Sequence, residues 1–144
     1  MVRKNNLKQL YDIDDNLWLE ETITLLQKRD YENLDVDNLI EELEFLGRRE
    51  KVAVESLLEQ VIRHLLLFDY WKIERKRSGN HWQVEIKSFR KQLNKILTTN
   101  LRKHLQKKLV FIYEDAVEYV QGKTDYKVEF PSECPYTLDD LLQL

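Results

Sequence analysis

The sequence predicts an all-α fold, a single-domain helical bundle of about four main helices plus a short C-terminal helix, and three observations carry that expectation. Only 3 glycines and 2 prolines occur in 144 residues, too few to turn the many short strands of an all-β chain. Leu, Glu, Lys and Gln, all good helix formers, are abundant. Apolar residues recur at steps of three and four along most of the chain instead of alternating. Hydrophobic residues make up 42% and charged residues 34%, a balance that supports one folded domain over residues 1–144.

Residues 1–13 carry no clear periodicity and are expected to be irregular. Asp14 or Asp15 can cap a first helix that runs to about Arg29, with Leu17, Trp18, Leu25 and Leu26 as its apolar face. Asp35 starts a second, in which Leu39, Leu43, Leu46, Ala53, Leu57, Val61, His64, Phe68 and Trp71 form one stripe. Gly47 interrupts that stripe, and a single helix from Val36 to about Trp71, bent at the glycine, fits it best. The stretch IERKRSGN, residues 73–80, reads as a turn ending in a cap. A third helix then carries Trp82, Ile86, Phe89, Leu93, Ile96 and Leu97 and ends near Thr99. Leu101, Leu105, Leu109, Ile112, Ala116, Tyr119 and Val120 mark the fourth, with Gly122 where a terminal glycine cap belongs. In the tail, 123–144, Pro131 and Pro135 break regular structure before Thr137 and Asp140 form a capping box for a short helix.

The single cysteine, Cys134, excludes an intramolecular disulfide, and no Cys/His spacing suits zinc. The N-terminus has no apolar core of a signal peptide, and no apolar run approaches the roughly 20 residues of a membrane span. A cytoplasmic protein without membrane association, metal or cofactor is therefore expected.

Charge is strongly segregated beneath a net charge of −3. Residues 12–59 carry 5 basic and 15 acidic groups, residues 60–110 carry 13 and 3, and residues 111–144 carry 2 and 8. Arg75, Lys76, Arg77, Lys87, Arg90, Lys91, Lys95, Arg102, Lys103, Lys107 and Lys108 make either a phosphate-binding surface, with Trp82 available for stacking, or one side of ion pairs against the acidic helices. The first alternative makes Arg75, Lys76, Arg77, Lys91, Arg102, Lys103, Lys107 and Lys108 candidates for binding nucleic acid or a protein partner.

For catalysis the candidates are His64, on an apolar face with Leu57, Val61 and Phe68, together with Arg90, Glu42 and Glu50. On an unbroken helix, 14 residues at 1.5 Å each put Glu50 and His64 about 21 Å apart, which leaves His64 with Arg90 as the reachable pair. His81 and His104 read as surface or boundary positions. The glutamates of residues 41–59 spread around their helix, as a solvated face does, and no Glu-x-x-His pair of a bundle metal site occurs.

Several segments taken together resemble a known family: LYDIDDNLWLEETITLLQKRDYENLDVDNLIEELEFLGRREKVAVESLL from Leu10, HLLL from His64, Trp82 followed by Ile86 and Arg90, and FPSECPYTLDDLL from Phe130. From about Leu10 to Leu142 the chain is similar to DUF29, a bacterial and mostly cyanobacterial family of domains of unknown function. The resemblance implies an α-helical fold and transfers no activity or catalytic residue. Glu21, Asn38, Glu41, Glu42, Gly47, Glu50, His64, Trp82 and Arg90 fall on the family pattern. The chain departs from it at Phe68 and Asp69, where relatives carry a basic residue and an aromatic.

Two functions from different classes follow. One is a non-catalytic module, binding or regulatory, for nucleic acid or a protein partner. The other is a small hydrolase or nuclease with a polar site between the second and third helices. A homodimer that buries Trp71, Phe111 and Tyr113 is compatible with both.

Overall fold

The structure, a computed structural model, describes residues 4–143. These form six helices and no strand: α1 (Lys4–Ile13), α2 (Asp15–Gln27), α3 (Val36–Tyr70), α4 (Lys72–Ile96), α5 (Thr99–Lys123) and α6 (Leu138–Leu142). The all-α class read from the sequence is what the structure has. Internal contacts divide the chain into two compact units, Met1–Arg48 and Arg49–Leu144.

In the first unit, the segment expected to be irregular is helical from Lys4. Leu7, Leu10 and Tyr11, at steps of three and four, give α1 one short apolar face. It packs with Trp18, Leu25, Leu34 and Leu39 in a small core, and such a signal is too brief to stand out in sequence. Asp14 caps α2 by accepting from the Leu17 amide at 3.0 Å. Trp18, Thr22 and Leu25 turn inward, while Leu17 and Leu26 face solvent. The inward set follows the i, i+4, i+7 spacing of a single face, and the expected face had mixed two.

Polar groups complete this unit. The buried Asp35 carboxylate accepts from the Trp18 indole at 3.2 Å and from the Asn38 amide at 2.6 Å, and its backbone carbonyl accepts from the Leu39 amide as α3 begins. The Tyr11 hydroxyl donates to Glu42 at 2.7 Å, a bond that pushes the phenol's pKa up to about 12.

The helix α3 runs unbroken through Gly47, since one glycine costs only about 1 kcal/mol in a helix interior. In the second unit its buried positions are Val54, Leu58, Val61, Ile62, Leu66 and Leu67. The expected stripe was off register, and Leu43 and Leu46 are exposed. The chain breaks at Trp71 alone (φ −90, ψ 67) before α4 begins. The 73–80 stretch is therefore the first two turns of α4, not a turn. Burial of Trp82, Ile86 and Leu93 on that helix outweighs the local turn preference of Ser78 and Gly79.

Thr98 caps α5 by accepting from the Leu101 amide. Its other end is closed by Thr124 and by two left-handed residues, Asp125 (φ 55) and Tyr126 (φ 57), so Gly122 lies inside the helix and is not its cap. Leu101, Leu105, Leu109, Ile112, Tyr113, Ala116 and Val120 join the buried side chains of α3, α4 and α6 in one core. The capping box Thr137/Asp140 forms as read from sequence, and the orphan carbonyls at the end of α6 are taken up by α4. Arg90 donates to Leu141 O at 3.0 Å and Asp140 O at 2.8 Å, and Asn94 donates to Leu142 O at 3.0 Å.

Candidate functional site

The cationic residues of the second unit are held in two different ways. On α4, Lys76, Arg77, Lys87, Lys91 and Lys95 are exposed, as are Arg102, Lys103, Lys107 and Lys108 on α5. Arg77 meets Glu74 one turn away on its own helix, and Arg102 meets Asp139 beside α6. Among the described residues the other seven of these nine have no ion pair. The expectation that the basic helices pair against the acidic ones reduces, between α3 and α5, to one approach of Glu55 to His104 at 3.5 Å. The reason lies in helix geometry: the lysines sit on outer faces, while the surfaces that meet in the core are apolar.

Arg102 and Lys103 do not complement the dipole of their own helix. They end its first turn, where the dipole favours anions, and no acidic residue is there. Beyond the second basic pair, Lys107 and Lys108, Val110 and Phe111 face solvent. Phe111 is 59% exposed, and the Lys108 ammonium stands 5.5 Å from its ring centre.

Trp82 does not serve as the stacking residue. It is 3% exposed and stacks on Trp71 with ring centres 5.9 Å apart, inside the core. Of the three residues expected to form a homodimer patch, Tyr113 is buried, with its hydroxyl donating to Pro131 O, and Trp71 is half-buried; Phe111 alone is exposed. Phe111 was legible as an exposed apolar residue, but its place between Lys108 and a cavity walled by Glu55, Glu59 and Asp115 follows only from the packing of α5 on α3.

The catalytic candidates Glu42, His64 and Arg90 each have hydrogen-bond partners of their own. Glu42 belongs to the first unit, as the acceptor for Tyr11. Within the second unit α3 is continuous from Glu50 to His64, which holds the two about 21 Å apart. The His64 Nδ1 meets Gln60 O at 2.7 Å and the ring lies 5.4 Å from Phe89, an arrangement in which Nδ1 carries the proton and donates. Burial lowers its pKa from the usual value, against the pull of the Gln60 hydrogen bond and of Glu85. Arg90 is engaged by the carbonyls of α6. Burial raises the pKa of Cys134, whose thiol donates to Tyr136 O, so the nucleophilic thiolate is disfavoured.

Among the described residues no three His, Cys, Asp or Glu side chains come together as metal ligands, and no helix is long and apolar enough to cross a membrane. A cavity of about 780 Å³ has Glu59, Arg63, Asp115, Glu118 and Lys123 in its wall. Its charges answer one another: Arg63 pairs with Glu59 and lies 3.7 Å from the Tyr119 ring centre. A cavity on α4, by contrast, is lined by cations without a carboxylate. It contains Arg75 and also Lys72 and Gly79, which the sequence pattern hides because this segment has the composition of a turn.

Comparison with known proteins gives one match. The family described as Domain of unknown function DUF29 matches residues 10–144. No curated protein matches the chain, and no solved structure does.

Proposed function

We propose, from the premise that this chain belongs to the DUF29 family, that it is a non-catalytic module that binds nucleic acid through the outer faces of α4 and the first half of α5. The observation that carries this reading is the set of exposed lysines without acidic partners among the described residues, Lys76, Lys87, Lys91, Lys95, Lys103, Lys107 and Lys108. Like charges along a helix face repel one another and stabilise nothing in the free protein. Against a phosphate backbone each one releases condensed counterions and contributes affinity. Phe111, exposed beside Lys108 at the end of this basic run, supplies the flat apolar face on which an unpaired base stacks, so single strands are the preferred form.

The test is binding of a single-stranded oligonucleotide across a salt series. Reversing charge with Lys103→Glu and Lys107→Glu is expected to weaken binding at low salt. It is also expected to flatten the dependence of log K on log salt by about 0.7 for each phosphate that is no longer neutralised. Phe111→Ala is expected to lower affinity by about tenfold, in line with about 1–3 kcal/mol per stacked base, with the salt slope unchanged. Absence of binding at low salt, or binding indifferent to all three substitutions, would overturn the reading.

A further inference from the structure

Two cavities lie along the groove between the C-terminal end of α3 and α4, with Phe68 and Gln83 as common walls. The first, about 540 Å³, is bounded by Phe68 and, from α4, by Lys72, Arg75, Lys76, Asn80 and Gln83. Three cations and two amides face it, and none of its lining residues has a carboxylate. Glu74, the acidic residue of the first turn, accepts from Ser78 and pairs with Arg77 instead. In the neighbouring cavity, about 470 Å³, Lys87 and Arg90 continue the positive wall, and its one carboxylate, Asp69, accepts from the Tyr136 hydroxyl at 2.7 Å.

Arg75 distinguishes this groove from a surface that merely carries lysines. Its guanidinium lies 5.1 Å from the Phe68 ring centre, and one terminal nitrogen donates a long bond to Asp69 O at 3.4 Å. Its Nε is shielded from solvent and has no hydrogen-bond partner among the described residues. A cationic donor withdrawn from water without an acceptor is costly, and an anion in the cavity that Arg75 lines would offset the charge of its guanidinium.

Gly79 keeps the arrangement possible. A Cβ at this buried position would stand 3.1 Å from Arg75 Cγ and 3.6 Å from the Phe68 ring, so a larger residue would crowd Arg75 where it folds back over Phe68. The glycine weakens a helix interior, and cations in the first turns of α4 oppose its dipole. Three unfavourable features thus meet at one cavity, and a bound anion relieves the cations that oppose the dipole.

We propose that this α3–α4 cavity is a binding site for a phosphate monoester, held by Arg75, Lys72 and Lys76 with Asn80 and Gln83 as neutral donors. The site shares Lys76 with the surface proposed for strand binding and is separate from the α5 residues of that surface. A phosphate monoester suits it because a compact dianion matches several convergent cationic donors better than a monoanionic diester does. The group is carried either by a free small molecule or by the end of a nucleic-acid strand.

The test follows the Nε–Hε signal of Arg75 in nitrogen–proton correlation spectra of the full chain. Inorganic phosphate replaces chloride at constant ionic strength. A saturable downfield shift of that signal is expected, with the half-saturation concentration raised about tenfold in Lys76→Ala, an exposed position whose substitution leaves the core intact. Two oligonucleotides, one with a 5′-phosphate and one with a 5′-hydroxyl, identify the source. A preference for the phosphorylated end that disappears in Lys76→Ala assigns the site to strand ends, and equal binding alongside a response to inorganic phosphate assigns it to a free small phosphate. Lys103→Glu is expected to leave the phosphate response unchanged, so failure of the strand-binding reading does not imitate failure of this one. No saturable shift, or a shift unaltered in Lys76→Ala, would overturn the proposal.

Discussion

Tyr113 illustrates how a single side chain in this chain couples stability to pH. Its hydroxyl donates to Pro131 O and its ring is in the core, and burial pushes its pKa up from 10.0 to about 12. Tyr11 is raised to about 12 by its bond to Glu42, and Tyr136 is raised further by burial and by Asp69. A folded pKa above the unfolded one means that the folded state keeps its proton longer. The contribution to stability is complete below the ordinary value of 10.0 and is lost as pH rises through about 12. Urea unfolding is therefore expected to give a constant free energy up to about pH 9.5 and a declining one above about pH 10, less steeply in Tyr113→Phe. A flat profile to about pH 12 would contradict the assignment. His64 acts at the other end of the scale. Burial lowers its pKa, so its contribution is present above the ordinary value near 6.5 and is lost as pH falls. The fall in stability between about pH 7 and about pH 5 is expected to be shallower in His64→Gln. The sequence placed His64 on an apolar face, which is where it lies, but the carbonyl that fixes its tautomer belongs to a backbone turn that no side-chain pattern reveals.

At the scale of elements, α6 depends on two kinds of support that differ in how far they reach along the chain. Its start is local: Thr137 accepts from the Asp140 amide at 3.1 Å and Asp140 accepts from the Thr137 amide at 3.0 Å. Its end is held from α4, by Arg90 across 51 and 50 positions and by Asn94 across 48. Thr137→Ala is expected to lower stability by about 1 kcal/mol, and Arg90→Ala by about 2 kcal/mol, since charged donors to carbonyls are removed. Because both act on a five-residue helix, the double variant is expected to lose less than the sum. A double-mutant cycle in urea measures that coupling, and strict additivity would mean that α6 does not form as a unit. The same contrast explains what the sequence disclosed. The capping box, the caps at Asp14 and Thr137 and the length of α3 were legible because they are written within a few residues. The helical state of residues 73–80 and the capping role of Arg90 were not, because Trp82 packing and the α6 carbonyls that decide them lie elsewhere in the chain. Gly79 has the look of a turn signal for the same reason. Its meaning comes from Arg75 and Phe68, one of which lies on another helix.

Across the whole molecule, charge is divided between the two compact units in a way that composition conceals. Residues 1–48 carry 6 basic and 12 acidic groups, and residues 49–144 carry 17 and 14. A polyanion approaching the lysines of α4 and α5 is therefore attracted by near charges, while the net charge of −6 on the first unit opposes its approach. The opposing field acts over distances that only dilute salt transmits, about 30 Å at 0.01 M and about 8 Å at 0.15 M. Neutralising Glu20, Glu41 and Glu44, all exposed, with glutamine is expected to raise the association rate of a single-stranded oligonucleotide at about 0.01 M salt. That gain should vanish near 0.15 M, with the dissociation rate unchanged throughout. Stopped-flow kinetics across the salt series separates the two rates. A gain that persists at high salt would mean that these glutamates touch the strand themselves, and no gain at any salt would mean that the acidic unit has no influence on how the basic surface meets its partner.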